Sequence, residues 1–170
     1  AYRELERSIG VTPEALAAAG VEAVAGAIRA AGLYRGKARA IVALARRVLE
    51  GLDLDAALRE GRAEELLAIP GIGRKTVDVA MAFYGRPVVP VDTHVRRVAR
   101  RLGLVDSDDY GRVRGALESI FPPHLRLEAH LYLIKLGREV CRARAPRCGE
   151  CPLRDLCPTA EGFEDLSYPP

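Results

Sequence analysis

Apolar residues recur at three- and four-residue spacing along most of the chain, and glycine or proline interrupts each run. The spacing predicts a helix over about 1–10 that ends at Gly10. Thr12 can cap a second helix with Pro13 at its first position, and Gly20 closes it. Val21, Val24 and Ile28 predict a short helix closed at Gly32. A longer helix, about 35–50, has an apolar face of Ala38, Ile41, Val42, Ala45, Val48 and Leu49. Residues 51–61 read as a short connection with room for one helical turn. A helix over 63–69 stops at Pro70, and another over 74–83 turns Val77, Val79, Ala80 and Phe83 inward. Pro87 and Pro90 make 85–91 an extended crossing. The helix after Asp92 points Val95, Val98, Ala99 and Leu102 inward and Arg96, Arg97, Arg100 and Arg101 outward, and it ends at Gly103. Asp106-Ser107-Asp108 can cap a helix running to Phe121, where Pro122-Pro123 stop it, and a last helix covers about 125–140. No stretch alternates convincingly as a strand, so the expected fold class is all-α.

Between the fifth and sixth of these runs, Pro70-Gly71-Ile72-Gly73 forms a hairpin joining two helices. Glycine lets the backbone turn sharply and approach a partner closely. The first amides of the following helix have no partner within it and suit an anion, a phosphate above all. Arg74 and Lys75 stand in that first turn. The helix dipole and the neighbouring like charge both favour a neutral Lys75 amine, which is a nucleophile. Asp92 follows 17 residues later and reads as the N-cap of the next helix. A nucleophilic amine and a carboxylate at one pocket, beside a phosphate-gripping hairpin, are the expectation. Taken singly, such a turn also serves as a plain helix connection, a first-turn lysine as a solvated cation, and an N-cap aspartate as only a cap. His94 and His130 are expected to be packing residues, His130 half-buried.

Composition changes this picture little. The chain of 170 residues is 49% hydrophobic, which permits a real core, and its net charge of +3 does not by itself argue for nucleic acid. It has no Asn, Gln or Trp and one Met. Few thermolabile side chains beside abundant Arg, Glu and Ala suggest a thermophile, and GC-rich coding would give a similar bias. No apolar run is long enough to predict a membrane span, and no signal peptide is visible at the start. Ala1-Tyr2-Arg3-Glu4-Leu5 resembles the middle of a helix, as expected of a piece of a longer chain.

The cysteines change it more. Cys141, Cys148, Cys151 and Cys157 are the only four, within 17 positions, spaced C-x6-C-x2-C-x5-C. One shared centre explains that crowding better than scattered thiols do. Four thiolates suit tetrahedral zinc or an iron–sulfur cluster, and two local disulfides are the alternative. Arg142, Arg144 and Arg147 lie in the loop between the first two cysteines. A loop pinned at both ends can hold such guanidinium groups as a phosphate-contacting patch.

Three motifs occur in one order: LLAIPGIGRKT at 66–76, VDTHV at 91–95, and the cysteine tail. With Gly32-Leu33-Tyr34, Gly137-Arg138 and Pro146-Arg147-Cys148-Gly149 they resemble the endonuclease III family of DNA base-excision glycosylases, from about residue 2 to about residue 157. The resemblance implies a helix–hairpin–helix glycosylase fold. It implies a helical barrel domain over 1–92, lacking its first two helices, and a helical cluster domain over 93–170. It implies a 4Fe–4S cluster on the four cysteines, with Lys75 as nucleophile and Asp92 as catalytic carboxylate. Leu33 matches a residue that wedges into the DNA stack where the damaged base flips out. Pro70, Gly71, Ile72, Gly73 and Arg74 match the hairpin that holds a backbone phosphate through a monovalent cation. The implied partner is double-stranded DNA with a damaged base or AP site, met by a monomer in the prokaryotic cytoplasm, at the nucleoid. The implied activity is removal of oxidised pyrimidines and β-elimination through a lysine Schiff base. Relative to the common family pattern, the Lys75-to-Asp92 interval is one residue shorter, and Val77-Asp78 stands where many relatives have Ala-Asn. Two other functions compete: a uracil or thymine mismatch glycosylase on the same fold, and a DNA-binding iron–sulfur module without chemistry.

Overall fold

The computed structural model describes residues 1–163, which are helical with no strand among them. They form two compact units, Ala1–Ala80 and a second beginning at Met81.

The first unit holds α1 (Tyr2–Ser8), α2 (Pro13–Ala27), α3 (Tyr34–Leu49), α4 (Leu54–Glu60), α5 (Ala63–Leu67) and the first turns of α6 (Arg74–Phe83). Thr12 caps α2, its hydroxyl accepting the amide of Ala15 at 3.3 Å. As expected, two helical segments meet at Gly20, whose φ 73° and ψ 178° are not helical and kink α2 there. α2 packs along α3, and Leu5, Val24, Ala25, Ile28, Ala38 and Val42 make one core. Leu5, Val24, Ile28 and Val42 each contribute about 1.5–3 kcal/mol by their burial there.

Three expectations for this stretch need correction. The connection over 51–61 contains α4, capped by Asp53, whose carboxylate accepts the Ala56 amide at 2.9 Å, and closed by Gly61 at φ 80°. Of the face assigned to α3, Ala38, Val42 and Ala45 are buried, whereas Leu49 is half exposed. On α6 the buried residues are Val77, Asp78, Met81 and Ala82, and Phe83 is exposed. That face is rotated from the one the apolar residues suggest, with a carboxylate on it.

The second unit holds α7 (Thr93–Arg101), α8 (Tyr110–Ile120) and α9 (Arg126–Glu139) around Val89, Val91, Val95, Val98, Ala99, Val113, Leu117 and Leu133. α8 is capped by Asp109, whose carboxylate accepts the Arg112 amide at 2.9 Å, rather than by residues 106–108. Asp108 is instead paired with Arg100 at 2.6 Å. The crossing that leads to Asp92 is exposed over 85–87 and buried over 89–91, with Val89 wholly enclosed. A buried strand-like segment without a neighbouring strand must satisfy its backbone through side chains. Here the Val89 amide donates to Glu118 Oε1 at 3.1 Å and the Val91 amide to Tyr110 Oη at 3.3 Å. His130 Nδ1 lies 2.8 Å from the Pro90 carbonyl and donates to it. His130 is thus fully buried and bonded, not half-buried packing.

α7 and α9 meet closely at Gly137. A Cβ there would stand 2.9 Å from His94 Cβ, so only glycine fits without a shift.

Candidate active site and iron–sulfur centre

The hairpin forms because α5 cannot pass Pro70. Ile69 is buried and anchors it, while Pro70, Gly71 and Gly73 are exposed. The Ile72 amide donates to the Ile69 carbonyl at 3.1 Å, closing the turn. Gly71 adopts φ 87°, and its backbone lies so near α3 that a Cβ would be 3.1 Å from Ala40 Cβ. The Gly73 carbonyl accepts from Thr76 and Val77, the first regular bonds of α6. The amides ahead of them are those a helix start leaves to an outside acceptor. Arg74 and Lys75 are both exposed in that turn.

A groove of about 440 Å3 runs between the hairpin and α3, lined by Leu33, Lys37, Ala40, Gly71, Ile72 and Thr76 among others. At its rim Leu33 is 88% exposed. It occupies the N-cap position of α3 at φ 47° and ψ 28°, left-handed geometry that costs a non-glycine residue about 1–2 kcal/mol. A large apolar side chain held in water on a strained backbone gains nothing for the fold. Lys37 Nζ donates to the Ala31 carbonyl at 2.6 Å and steadies the turn before it. The Arg35 guanidinium, hydrogen-bonded to Tyr34 and adding its charge, lowers the pKa of the phenol.

In the second unit Asp92 caps α7. Its Oδ1 accepts the amides of His94 and Val95, each at 2.8 Å. Both cap bonds fall on one oxygen, so Oδ2 is not committed to the cap. His94 is held through its ring, Nδ1 lying 3.2 Å from Arg97 Nη2, and through its Cβ against Gly137.

The four cysteines carry free thiols and line one cavity, walled by Val98, Leu102, Leu136 and Val140. Cys141 follows α9 directly, its amide donating to the Leu136 carbonyl at 2.7 Å. The loop then closes on itself: the Arg147 amide returns to the Val140 carbonyl at 3.0 Å, with Ala145 left-handed at φ 45°. Short turns at Cys148–Glu150 and Arg154–Leu156 bring in the remaining three sulfurs. Burial pushes the Cys148 thiol up, and the other three cysteines push it further, with Arg101 opposing. Four thiolates so crowded require a cationic centre. Among the described residues no three His, Cys, Asp or Glu side chains converge on a place for one metal ion. Four cysteine sulfurs lining one apolar-walled cavity are the donor set that an iron–sulfur cluster takes.

The arginines expected to point outward from α7 divide into two pairs. Arg96 and Arg100 face Asp108. Arg97 and Arg101 bind the cysteine loop. Arg97 donates to the carbonyls of Gly137 at 2.7 Å and Cys141 at 3.1 Å. Arg101 donates to those of Arg142 at 2.6 Å and Ala143 at 3.2 Å. Sequence reasoning missed these two and Thr159, whose hydroxyl donates to the Arg101 carbonyl at 3.0 Å. The signal was available as the i, i+4 spacing of the two arginines.

The structure therefore gathers Leu33, Gly71 and Ile72 at one groove in the first unit, with Pro70, Gly73, Arg74 and Lys75 in the same hairpin. Asp92 and the cysteine loop belong to the second unit. Arg142, Arg144 and Arg147 are exposed on that loop, Arg147 lying 3.4 Å from Glu150.

Residues 1–123 match the HhH-GPD superfamily of base excision DNA repair proteins, and residues 141–157 match the iron-sulfur binding domain of endonuclease III. The chain belongs to the endonuclease III family. Endonuclease III of Treponema pallidum is 40% identical over 147 residues, spanning 86% of this chain and 68% of that one. The Escherichia coli K12 protein is 39% identical over the same length, with the same coverage of both chains. A trapped endonuclease III–DNA covalent intermediate superposes with a TM-score of 0.84 at 34% identity, covering 96% of this chain and 76% of that one. A thermostable thymine-DNA glycosylase superposes at 0.73 with 22% identity, a likeness of fold, covering 95% of this chain and 75% of that one. As a member of the family, the chain is a base-excision repair DNA glycosylase with an iron–sulfur binding domain.

Proposed function

We propose that this endonuclease III homologue is a bifunctional glycosylase and AP lyase that removes oxidised pyrimidines from double-stranded DNA. The observation that carries the reading is Leu33: exposed, apolar and left-handed beside the hairpin groove. Such a residue suits insertion into a base stack vacated by a flipped nucleotide. The hairpin amides would take a backbone phosphate, bridged by a monovalent cation, and Arg142, Arg144 and Arg147 further phosphates.

Chemistry follows on the extruded nucleotide. The Lys75 amine forms a bond to C1′ as the glycosidic bond breaks, and the base leaves with the bonding electrons as an anion that takes a proton from water. The Asp92 carboxylate, through Oδ2, stabilises the positive charge developing on the sugar and receives the amine's proton. The sugar opens to a Schiff base on Lys75. Loss of a C2′ proton then expels the 3′ phosphate, which nicks the strand, and water releases the enzyme. The four cysteines would hold a 4Fe–4S cluster, which supplies a rigid cationic anchor for the loop and no step of this sequence. The protein acts as a monomer in the cytoplasm.

Borohydride trapping on AP-site DNA tests the lyase: wild type gives a covalent adduct and Lys75→Ala gives none. An undiminished adduct from Lys75→Ala refutes the assignment. Preferential release of base from U·G or T·G over thymine glycol would instead make the protein a mismatch glycosylase.

A further inference from the structure

We propose that Arg101 is a positioning residue of the iron–sulfur centre, tying the first and last cysteine arms to one point and setting the charge beside the cluster. This rests on the four cysteines being the ligands. Cys141 and Cys157 open and close the motif, and both meet this one residue. The side chain serves the first arm: Nη1 donates to the Arg142 carbonyl at 2.6 Å and reaches Cys141 Sγ at 3.4 Å, while Nη2 donates to the Ala143 carbonyl at 3.2 Å. The backbone serves the last arm: the Arg101 carbonyl accepts Thr159 Oγ1 at 3.0 Å, with Cys157 Sγ 3.3 Å away.

Each half of that arrangement has a physical reason. Arg101 is the last residue of α7, where a cation is well placed against the helix dipole and where carbonyls lack helical partners. Thr159 supplies the donor that such a carbonyl needs. The loop after Cys141 has no regular structure, so its carbonyls need donors too. A guanidinium offers five in a planar fork and can reach two carbonyls and a sulfur together, which an ammonium on a flexible stem cannot hold in place. Reduction adds negative charge to a cluster. A fixed cation beside the Cys141 sulfur therefore stabilises the reduced form and raises the potential.

The test compares full-length wild type, Arg101→Lys, Arg101→Gln and Thr159→Val. It measures iron per chain, iron loss to a chelator, helix content, and the cluster's one-electron potential at an electrode. Arg101→Gln should lose iron roughly tenfold faster or more. Its potential should fall by the equivalent of about a tenfold shift in the reduced-to-oxidised ratio, roughly 59 mV. Arg101→Lys should lose iron faster and lower the potential by less than Arg101→Gln, because the charge remains but is no longer fixed beside the sulfur. Thr159→Val should speed iron loss, because it removes the contacts of one hydroxyl to the Arg101 carbonyl and to the Cys157 sulfur. A folded Arg101→Gln with wild-type retention and potential overturns the proposal. If Arg101→Gln fails to fold, wild-type iron-loss rates in both Arg101→Lys and Thr159→Val overturn it. Wild type that binds no iron refutes the ligand assignment instead, and the proposal with it.

Discussion

Alanine at Gly137 sets two effects against each other. The added Cβ would meet His94 Cβ at 2.9 Å, Val98 Cγ2 at 3.3 Å and Arg97 Nη2 at 3.4 Å. The His94 Cβ is rooted in the backbone of α7 and cannot swing aside, so α7 or α9 must move. Forcing a carbon into such a contact costs about 1–3 kcal/mol. The same substitution gains about 0.5–1 kcal/mol, because alanine is the better helix former. Gly115 isolates the gain. It is exposed inside α8, and a Cβ there would have no neighbour within 4 Å. Gly115→Ala should therefore stabilise by about 0.5–1 kcal/mol. Gly137→Ala should destabilise by up to about 2.5 kcal/mol, placing the two variants about 1–3 kcal/mol apart. For a chain of this size that is roughly 2–4 °C in Tm per kcal/mol, read by circular dichroism on cluster-loaded protein. Function should divide the variants too. The His94 amide donates to Asp92 Oδ1, so a displaced α7 carries the cap with it. Excision should fall in Gly137→Ala and hold in Gly115→Ala. Equal shifts of Tm in one direction would refute the packing argument.

Asp92→Ala should lose about 1 kcal/mol of stability with its cap, whereas Asp92→Asn should keep the cap and the stability. Both should lose about 100-fold or more of base excision, and near-normal excision by Asp92→Asn would refute the charge-stabilising role. Leu33→Gly should leave Tm almost unchanged, because relief of about 1 kcal/mol of left-handed strain offsets glycine's entropy. Its excision of thymine glycol should fall about tenfold or more, since unstacking a base step costs a few kcal/mol, and an unchanged rate would remove the wedge.

Much of the helical framework is legible because helix ends are written locally. Thr12-Pro13, Pro70 and Asp92 each start or stop a helix by chemistry within four residues. α4 carries the same kind of marks, Asp53 as its cap and Gly61 as its left-handed end, but the shortness of the segment between glycines hides it. The cap of α8 is not local. Four consecutive residues, Asp106 to Asp109, offer a capping oxygen, and the choice falls to Asp109 because Asp108 is engaged by Arg96 and Arg100 on α7. Nor is the face of α6, where the apolar count favours Phe83 over Asp78 and the fold reverses the choice.

The cysteine spacing announces a centre, but what holds the loop has to be deduced from what the loop lacks. A segment pinned by side chains rather than by helix or strand leaves carbonyls unmatched. Here those of Cys141, Arg142 and Ala143, and of Gly137 in the last turn of α9, take donors that bring no acceptor of their own. Arginine is the side chain with the most donors and no acceptor. α7 carries four arginines, and Asp108 occupies only Arg96 and Arg100. The other two stand one helical turn apart, flanking the apolar stripe of Val98 and Leu102 that walls the cysteine cavity. Amphipathic reasoning sends every charge to water, and that is the assumption that fails. An arginine beside an apolar stripe can bury its stem along it and direct its head to backbone oxygen. Where a sequence shows a metal-binding loop without regular structure, its unmatched carbonyls predict such arginines on the helix that packs beneath it.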